Sequence, residues 1–138
     1  MRLAVISDVH GNLAALEAVL ADIKGRGPDY TINLGDCVTS PLWPRETFEA
    51  LQSLALPTVR GNHDRWIEEY PDDKLSSAGR FARNALTAEQ RLALHSLLPN
   101  CVWETGFWPA MVRRMTTVPV CWRRRSTTDV SCQLVAKF

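Results

Sequence analysis

The feature that most constrains the fold is a short apolar segment near the start of the chain that ends abruptly in polar residues. Residues 3–6 are all apolar, and Ser7 and Asp8 follow them directly. Such a run is typical of a strand buried on both faces of a sheet. From Asn12, a residue type suited to a helix N-cap, leucine and isoleucine recur at helical spacing until the glycines and proline of residues 24–28. The sequence therefore predicts a strand, a turn and a helix.

The same alternation of strand and helix continues along the chain. Residues 30–34 predict a second strand ending at Gly35, residues 44–54 a second helix with Pro44 in its first turn, and residues 58–60 a third strand ending at Gly61. Strands that alternate with helices indicate right-handed βαβ units and a largely parallel sheet. We therefore expect an α/β fold.

Residues 76–99 predict two further helices. The second begins at Thr87, and Gln90 three residues later completes a capping-box pattern. Four leucines of this segment are expected to face a core, namely Leu92, Leu94, Leu97 and Leu98. His95 lies among them, and we interpret it as a residue of the helix face rather than a ligand.

Composition excludes several classes of protein. With 138 residues, 46% of them hydrophobic and 22% charged, the chain resembles one ordinary globular domain rather than a disordered, collagenous or coiled-coil protein. It has no apolar run of the ~18 residues that a membrane span needs and no signal-peptide pattern. The four cysteines form no C-x-x-C pair, which argues against a zinc knuckle or disulfide framework. We expect a cytoplasmic protein without a membrane partner, and a buried thiol at Cys37.

Side chains that bind metals follow all three predicted strands. Asp8 and His10 follow the first strand, Asp36 the second, and Asn62 with His63 the third. Because the carboxyl ends of parallel strands meet at one edge of a sheet, these side chains are expected to converge, with Asp8 and His10 on the same side of an extended segment. Such oxygen and nitrogen donors suit Mn, Fe, Zn, Ni or Co. Taken singly, Asp-x-His and Gly-Asp are also ordinary capping and turn sequences.

Together these motifs resemble a known family. Three segments, Asp8-Val9-His10, Gly35-Asp36 and Gly61-Asn62-His63-Asp64, resemble the first three motifs of the calcineurin-like metallophosphoesterases, in particular their small bacterial branch. The resemblance covers about residues 1–100. It implies the N-terminal half of a four-layer αββα sandwich. The remaining residues, 101–138, would then form an atypical and irregular tail.

The resemblance also implies roles for these residues. Asp8 and His10 would bind the first of two divalent metal ions, Asp36 would bridge both, and Asn62 would bind the second. His63 would assist the leaving group of a phosphate ester. The implied reaction is hydrolysis of phosphomonoesters or phosphodiesters, with Mn2+ the expected metal and Fe, Zn, Ni or Co as alternatives. Arg65 and Trp66 either line the mouth of this pocket or serve as an ion-paired arginine and a core tryptophan.

The later histidine motifs of the family are missing. The resemblance implies a further His and then Gly-His-x-His, but no histidine follows His95. The second metal would keep only Asp36 and Asn62, so we expect a weak second site and impaired hydrolysis. The alternative is a catalytically inactive remnant of such an enzyme.

The composition changes near Asn100. Residues 1–100 carry 10 basic and 13 acidic residues, whereas residues 101–138 carry 6 and 2 without helical or strand periodicity. We expect the tail to pack poorly, and its arginines favour no nucleic-acid partner because they belong to no patterned element. The sequence does not indicate an oligomeric state.

One hypothesis explains the tail as an out-of-frame translation. Read one base before each codon boundary, Phe107-Trp108-Pro109 gives Leu-Ala, Met111-Val112 gives Gly and Met115-Thr116 gives Asp. The ambiguous positions between them permit Leu-Ala-Cys-His-Gly-Thr-Pro-Asp-Asp, which resembles the next metal-ligand motif of the family. The other hypothesis is a divergent tail. Sequencing the coding DNA distinguishes the two.

Overall fold

The computed structural model describes residues 2–99 and the backbone of residues 102–103, 121–122 and 131–134. The order of helices and strands is β1 (Arg2–Ile6), α1 (Leu13–Arg26), β2 (Tyr30–Asn33), α2 (Pro44–Leu54), α3 (Asn62–Glu69), α4 (Ser77–Ala85), α5 (Ala88–Ser96), β3 (Val102–Trp103), β4 (Cys121–Trp122) and β5 (Ser131–Leu134). Helices and strands alternate from β1 to α2, and three further helices and three short strands follow. The predicted fold class is confirmed.

A parallel sheet positions the loops that carry the polar motifs. Strand β1 lies between β2 and β5 and runs parallel to both, with Leu3 opposite Tyr30 and Ile6 opposite Asn33. Strands β3 and β4 form a separate parallel pair. The ends of β1 and β2 therefore point to the same edge, as predicted.

The predicted third strand, residues 58–60, is wrong. Only Thr58 forms a bridge, to Asn33 of β2. The Asn33 N–H donates to Pro57 O at 2.9 Å and the Val59 N–H to Asn33 O at 3.0 Å, but the next N–H, that of Arg60, donates to Leu98 O at 2.7 Å. The segment leaves the sheet there because its backbone pairs with the end of the helical region instead.

The helix boundaries follow from local capping. The Asn12 side chain accepts from the Ala15 N–H at 3.1 Å, and α1 ends at Gly27, which has a left-handed φ of 56°. Helix α5 has the expected capping box, because Thr87 and Gln90 each accept from the other's backbone N–H.

Helix α3 was not predicted from the sequence at all.

Two apolar clusters form the core. One joins the sheet to α1 through residues such as Ile6 and Leu16, and the other lies among α2 to α5 and includes Ile67 and Leu94. The expectation that Leu92 and Leu98 face the core is wrong, since they are 63% and 54% exposed. Residues two apart on a helix lie on opposite faces, so burial of Leu94 turns Leu92 outward.

The tail contributes strands β3, β4 and β5, which the sequence pattern did not predict. The rest of residues 101–138, and with it the expected poor packing of the tail, lies outside the described residues. Within the described part of the chain, no helix is long and apolar enough to cross a bilayer.

Candidate metal centre

The loops that follow β1 and β2 stay hydrogen-bonded to each other beyond the sheet. The Leu34 N–H donates to Ile6 O at 2.9 Å, the Asp8 N–H to Gly35 O at 3.1 Å and the His10 N–H to Asp36 O at 2.9 Å. This ladder continues the parallel pairing of the two strands. It brings Asp8 and His10 to the same edge as Asp36.

Three residues at this edge have unusual backbone conformations. Asp8, His10 and Asp36 have φ values of 58°, 47° and 56°, in the left-handed region. The extended geometry expected for residues 8–10 is therefore wrong. Such conformations cost about 1–3 kcal/mol each and occur where surrounding structure enforces them. Here the ladder between the loops enforces them, and they direct the side chains of the motif.

Four of the five predicted site residues come together. His10, Asp36 and His63 each have one side-chain atom that could bind a metal, and these three atoms lie within 4.8 Å of one another. Asp8 joins them because its Oδ1 lies 3.8 Å from His10 Nε2, and the rings of His10 and His63 meet edge to face at 4.9 Å. Asn62 is the first residue of α3, next to His63, and is exposed.

The chemistry of this cluster fits a divalent cation. Two imidazoles and two carboxylates are donors that borderline cations such as Mn, Fe, Zn, Ni or Co accept. His10 Nδ1 is buried and has no hydrogen-bond partner among the described residues. A buried nitrogen without a partner is costly, and coordination of a cation would satisfy it.

Asp64 holds the two loops of the site together from their buried side, a role that the sequence reasoning missed. The residue is fully buried, and its carboxylate accepts from the N–H groups of Asp36 at 2.8 Å, Cys37 at 2.8 Å and Gly61 at 3.0 Å. It therefore ties the loop after β2 to the start of α3. An acid three residues after Gly61 is a recognisable capping pattern, and this signal was available in the sequence.

Burial changes the acidity of two groups behind the site. Burial raises the pKa of the Asp64 carboxyl above its ordinary value, while the three backbone N–H donors partly offset this effect. Burial, together with the charge of Asp64, raises the pKa of the Cys37 thiol well above its ordinary value. The thiol is 2% exposed and accepts from Asn33 Nδ2 at 3.3 Å. Cys37 is thus the buried thiol that was predicted, and its raised pKa argues against a role as a nucleophile.

Two glycines allow the loops to touch. A Cβ atom on Gly61 would lie 2.1 Å from Asp36 Oδ1, and one on Gly35, whose φ is 92°, would lie 2.3 Å from the Gly61 nitrogen. Only glycine permits so close an approach. The His63 N–H consequently donates to Asp36 Oδ1 at 2.9 Å, which holds the start of α3 against the bridging position expected for Asp36.

The structure also separates the alternatives for the neighbouring residues. Arg65 pairs with Glu69 on the surface of α3, with Nε 3.3 Å from Oε2, whereas Trp66 is half-buried beside His63, with ring centroids 4.7 Å apart. Trp66 therefore lines the pocket and Arg65 is an ion-paired surface residue. His95 is half-buried on α5, where Arg60 Nη1 donates to its carbonyl oxygen at 2.6 Å.

Comparisons with known proteins identify a family and similar proteins. The model of the calcineurin-like phosphoesterase family matches residues 1–109. A metallophosphoesterase crystal structure from Sphaerobacter thermophilus is similar, with a TM-score of 0.54 and 37% identity over 69% of this chain and 40% of that one. An uncharacterised protein from Methanocaldococcus jannaschii is 50% identical over 62 residues, which are 45% of this chain and 26% of the relative.

The chain thus spans less than half of either relative. The mixed α/β architecture matches a metallophosphoesterase fold. The family model covers most of the chain and includes all the motifs that form the cluster. The protein belongs to the calcineurin-like phosphoesterase family, whose members are phosphoester hydrolases that use divalent metals.

Proposed function

We propose that this chain is a metal-dependent phosphoesterase that hydrolyses phosphomonoesters or phosphodiesters with impaired activity. Asp8, His10 and Asp36 hold the first cation, and Asp36 with Asn62 holds the second. The observation that carries the proposal is that one side-chain atom each of His10, Asp36 and His63 lies within 4.8 Å of the other two, which puts the His63 imidazole beside the proposed ligands. Mn2+ is the metal we propose, because the mixed imidazole and carboxylate donors suit it. The proposed compartment is the cytoplasm.

Asp36 and His63 have different roles in the proposed hydrolysis. Divalent cations, when bound, neutralise phosphate oxygens and lower the pKa of water so that it attacks phosphorus. Asp36 would hold the position shared by both cations, because the backbone ladder to the loop after β1 and the Asp64 carboxylate fix its loop. His63 donates a proton to the departing alkoxide, since an imidazole at this position can act as a general acid. The bond from the His63 backbone N–H to Asp36 Oδ1 keeps the imidazole beside the residues that would hold the cations.

Hydrolysis is impaired in this proposal because too few protein ligands are available for the second cation. The first cation has three protein ligands in this proposal, and the second has two, of which Asn62 is neutral and exposed. No histidine after residue 95 adds to them. The second cation is therefore held weakly, and hydrolysis is limited by its occupancy. A catalytically inactive remnant is the alternative, and the same missing histidines favour it.

The test measures hydrolysis of 4-nitrophenyl phosphate and bis(4-nitrophenyl) phosphate by the purified chain as Mn2+ is increased. We expect little turnover at one equivalent and a rise that continues into the millimolar range, as mass action fills the weak site. Chelation of the metal should remove the turnover. Absence of hydrolysis at every concentration would support the inactive remnant. Full turnover without added metal would show that other residues complete the site.

A further inference from the structure

The imidazole of His63 is held by contacts with other rings. Its backbone N–H donates to Asp36 Oδ1 at 2.9 Å, but within the described part of the chain neither ring nitrogen forms a hydrogen bond. The ring meets that of His10 edge to face, with centroids 4.9 Å apart, and that of Trp66 with centroids 4.7 Å apart. Because the terminal torsion of a histidine side chain has only a broad preference, these two contacts decide where the His63 ring points.

Trp66 is the contact that has no other part in the site. His10 is a proposed ligand of the first cation, so the metal fixes its ring. Trp66 lies half-buried on α3, three residues after His63, and side chains three apart share one face of a helix. Its indole is inclined by 57° to the imidazole. The support of His63 that does not depend on metal therefore comes from Trp66.

The Trp66 ring is itself held in place. The ring of Tyr70 stacks on it, with centroids 5.4 Å apart and planes inclined by only 20°. Arg83 of α4 donates from Nε to Ile67 O at 2.6 Å and from Nη2 to Tyr70 O. These bonds satisfy carbonyl oxygens at the end of α3 and fix the backbone that carries the two stacked rings. Packing of this kind keeps a neighbouring catalytic side chain in one rotamer.

Open space beside His63 makes this support necessary. A cavity of about 170 Å³ is lined by His63, Trp66 and Tyr70, together with residues of α4 and of the segment before it. Its volume corresponds to about five or six water molecules, which is room enough for an imidazole ring. A smaller side chain at position 66 would enlarge the cavity and remove the contact with His63. The imidazole would then be free to turn away from the metal cluster.

We propose that Trp66 is a positioning residue that keeps the His63 imidazole directed at the metal cluster, where its ligand atom lies within 4.8 Å of those of His10 and Asp36. The inference rests on the proposed function, because only hydrolysis uses the proton of His63. In that reaction a water oxygen bonds to phosphorus and releases a proton to solvent. The bond from phosphorus to the leaving group breaks, and the departing oxygen takes the proton of His63, which solvent then replaces.

The test compares phenyl phosphate with 4-nitrophenyl phosphate at saturating Mn2+. Phenol has a pKa of about 10, like the tyrosine side chain, so its oxygen needs the proton as it leaves. The 4-nitrophenolate ion is a much weaker base and leaves without one. General acid catalysis contributes about 10²–10⁴-fold, of which a displaced ring loses a part, so we expect Trp66→Leu to lower kcat about tenfold with phenyl phosphate and at most about twofold with 4-nitrophenyl phosphate.

Two variants control this comparison. Trp66→Phe keeps a ring beside His63 and should restore most of kcat with phenyl phosphate. Phe81→Leu removes a ring of α4 that is 46% exposed and lies outside the cavity lining, and it should leave both rates unchanged. A merely structural defect does not distinguish leaving groups. A fall of equal size with both esters, or no fall with either, would therefore overturn the inference and leave the proposed function intact.

A second measurement does not depend on hydrolysis. In NMR spectra of the metal-free chain, the nuclear Overhauser effect between the ring protons of His10 and His63 should be present in the wild type and in Trp66→Phe, and lost in Trp66→Leu. Should Trp66→Leu not fold, Tyr70→Leu removes the ring behind Trp66 and should weaken the same signal. Loss of the signal in a chain that hydrolyses neither ester would support the positioning and overturn the proposed function. A signal that persists in these variants would overturn the inference alone.

Discussion

Replacing Asp36 with asparagine is expected to reduce Mn2+-dependent hydrolysis at least about 100-fold, because residues that merely support a ligand are already worth 10–100-fold. The asparagine keeps the size of the side chain, and its carbonyl oxygen can still accept from the His63 N–H, which Asp36 Oδ1 accepts at 2.9 Å. The fold should therefore survive while the negative charge between the two cations is lost. Initial rates across an Mn2+ titration measure the effect.

Asp22→Asn provides the matched control for this substitution. Asp22 is an exposed acid of α1 paired with Arg26, and its Oδ2 lies 2.6 Å from Arg26 Nε. The same change of acid to amide there should leave hydrolysis unchanged. Hydrolysis by Asp36→Asn within threefold of the wild type, at equal Mn2+, would contradict the role proposed for Asp36.

Removal of the Asp64 carboxylate should have the largest effect on stability. Asp64→Ala leaves the N–H groups of Asp36, Cys37 and Gly61 without their acceptor. Buried donors without partners cost about 1–3 kcal/mol each, and partial hydration of the space left behind reduces the total, so we expect a loss of about 3 kcal/mol. Urea unfolding followed by circular dichroism measures the free energy of unfolding.

Two further variants define this effect. Asp64→Asn keeps one carbonyl oxygen and should lose about half as much stability, because one of the two acceptor oxygens is replaced by a donor. Asp22→Ala removes an exposed pair on α1 and should leave the free energy of unfolding essentially unchanged, because solvent screens exposed ion pairs. If Asp64→Ala were no less stable than Asp22→Ala, Asp64 would not be the link between the two loops.

The sequence predicted the parts of the fold that depend on local signals. Residues 3–6 are uniformly apolar, Asn12 caps α1 and Thr87 caps α5, and each of these features acts within a few residues. Helix α3 was missed because Trp66 and Ile67 are its only strongly apolar residues, too few for a helical period to appear. The third strand was predicted because residues 58–60 suit a strand, but Leu98, distant in sequence, accepts the N–H of Arg60.

The candidate site was predictable to a similar extent. The ends of β1 and β2 identified Asp8, His10 and Asp36, since parallel topology brings those positions to one edge. His63 was predicted from a third strand that does not form, and its N–H bond to Asp36 Oδ1 holds it at this edge instead. The left-handed backbone of the first three was not predictable, because it results from hydrogen bonds between loops. The capping of Gly61 by Asp64 could be read from the sequence, but the link from Asp64 to the loop after β2 could not, since these two partners are backbone N–H groups 27 and 28 residues earlier in the chain.

The central claim is that this chain holds one divalent cation well and a second one weakly. Electron paramagnetic resonance of free Mn2+ during a titration of the metal-free protein tests it most directly. The account predicts one tight equivalent that is lost in His10→Ala, followed by a second with a dissociation constant at least about tenfold higher. Two equally tight equivalents, or a tight equivalent that survives His10→Ala, would contradict it.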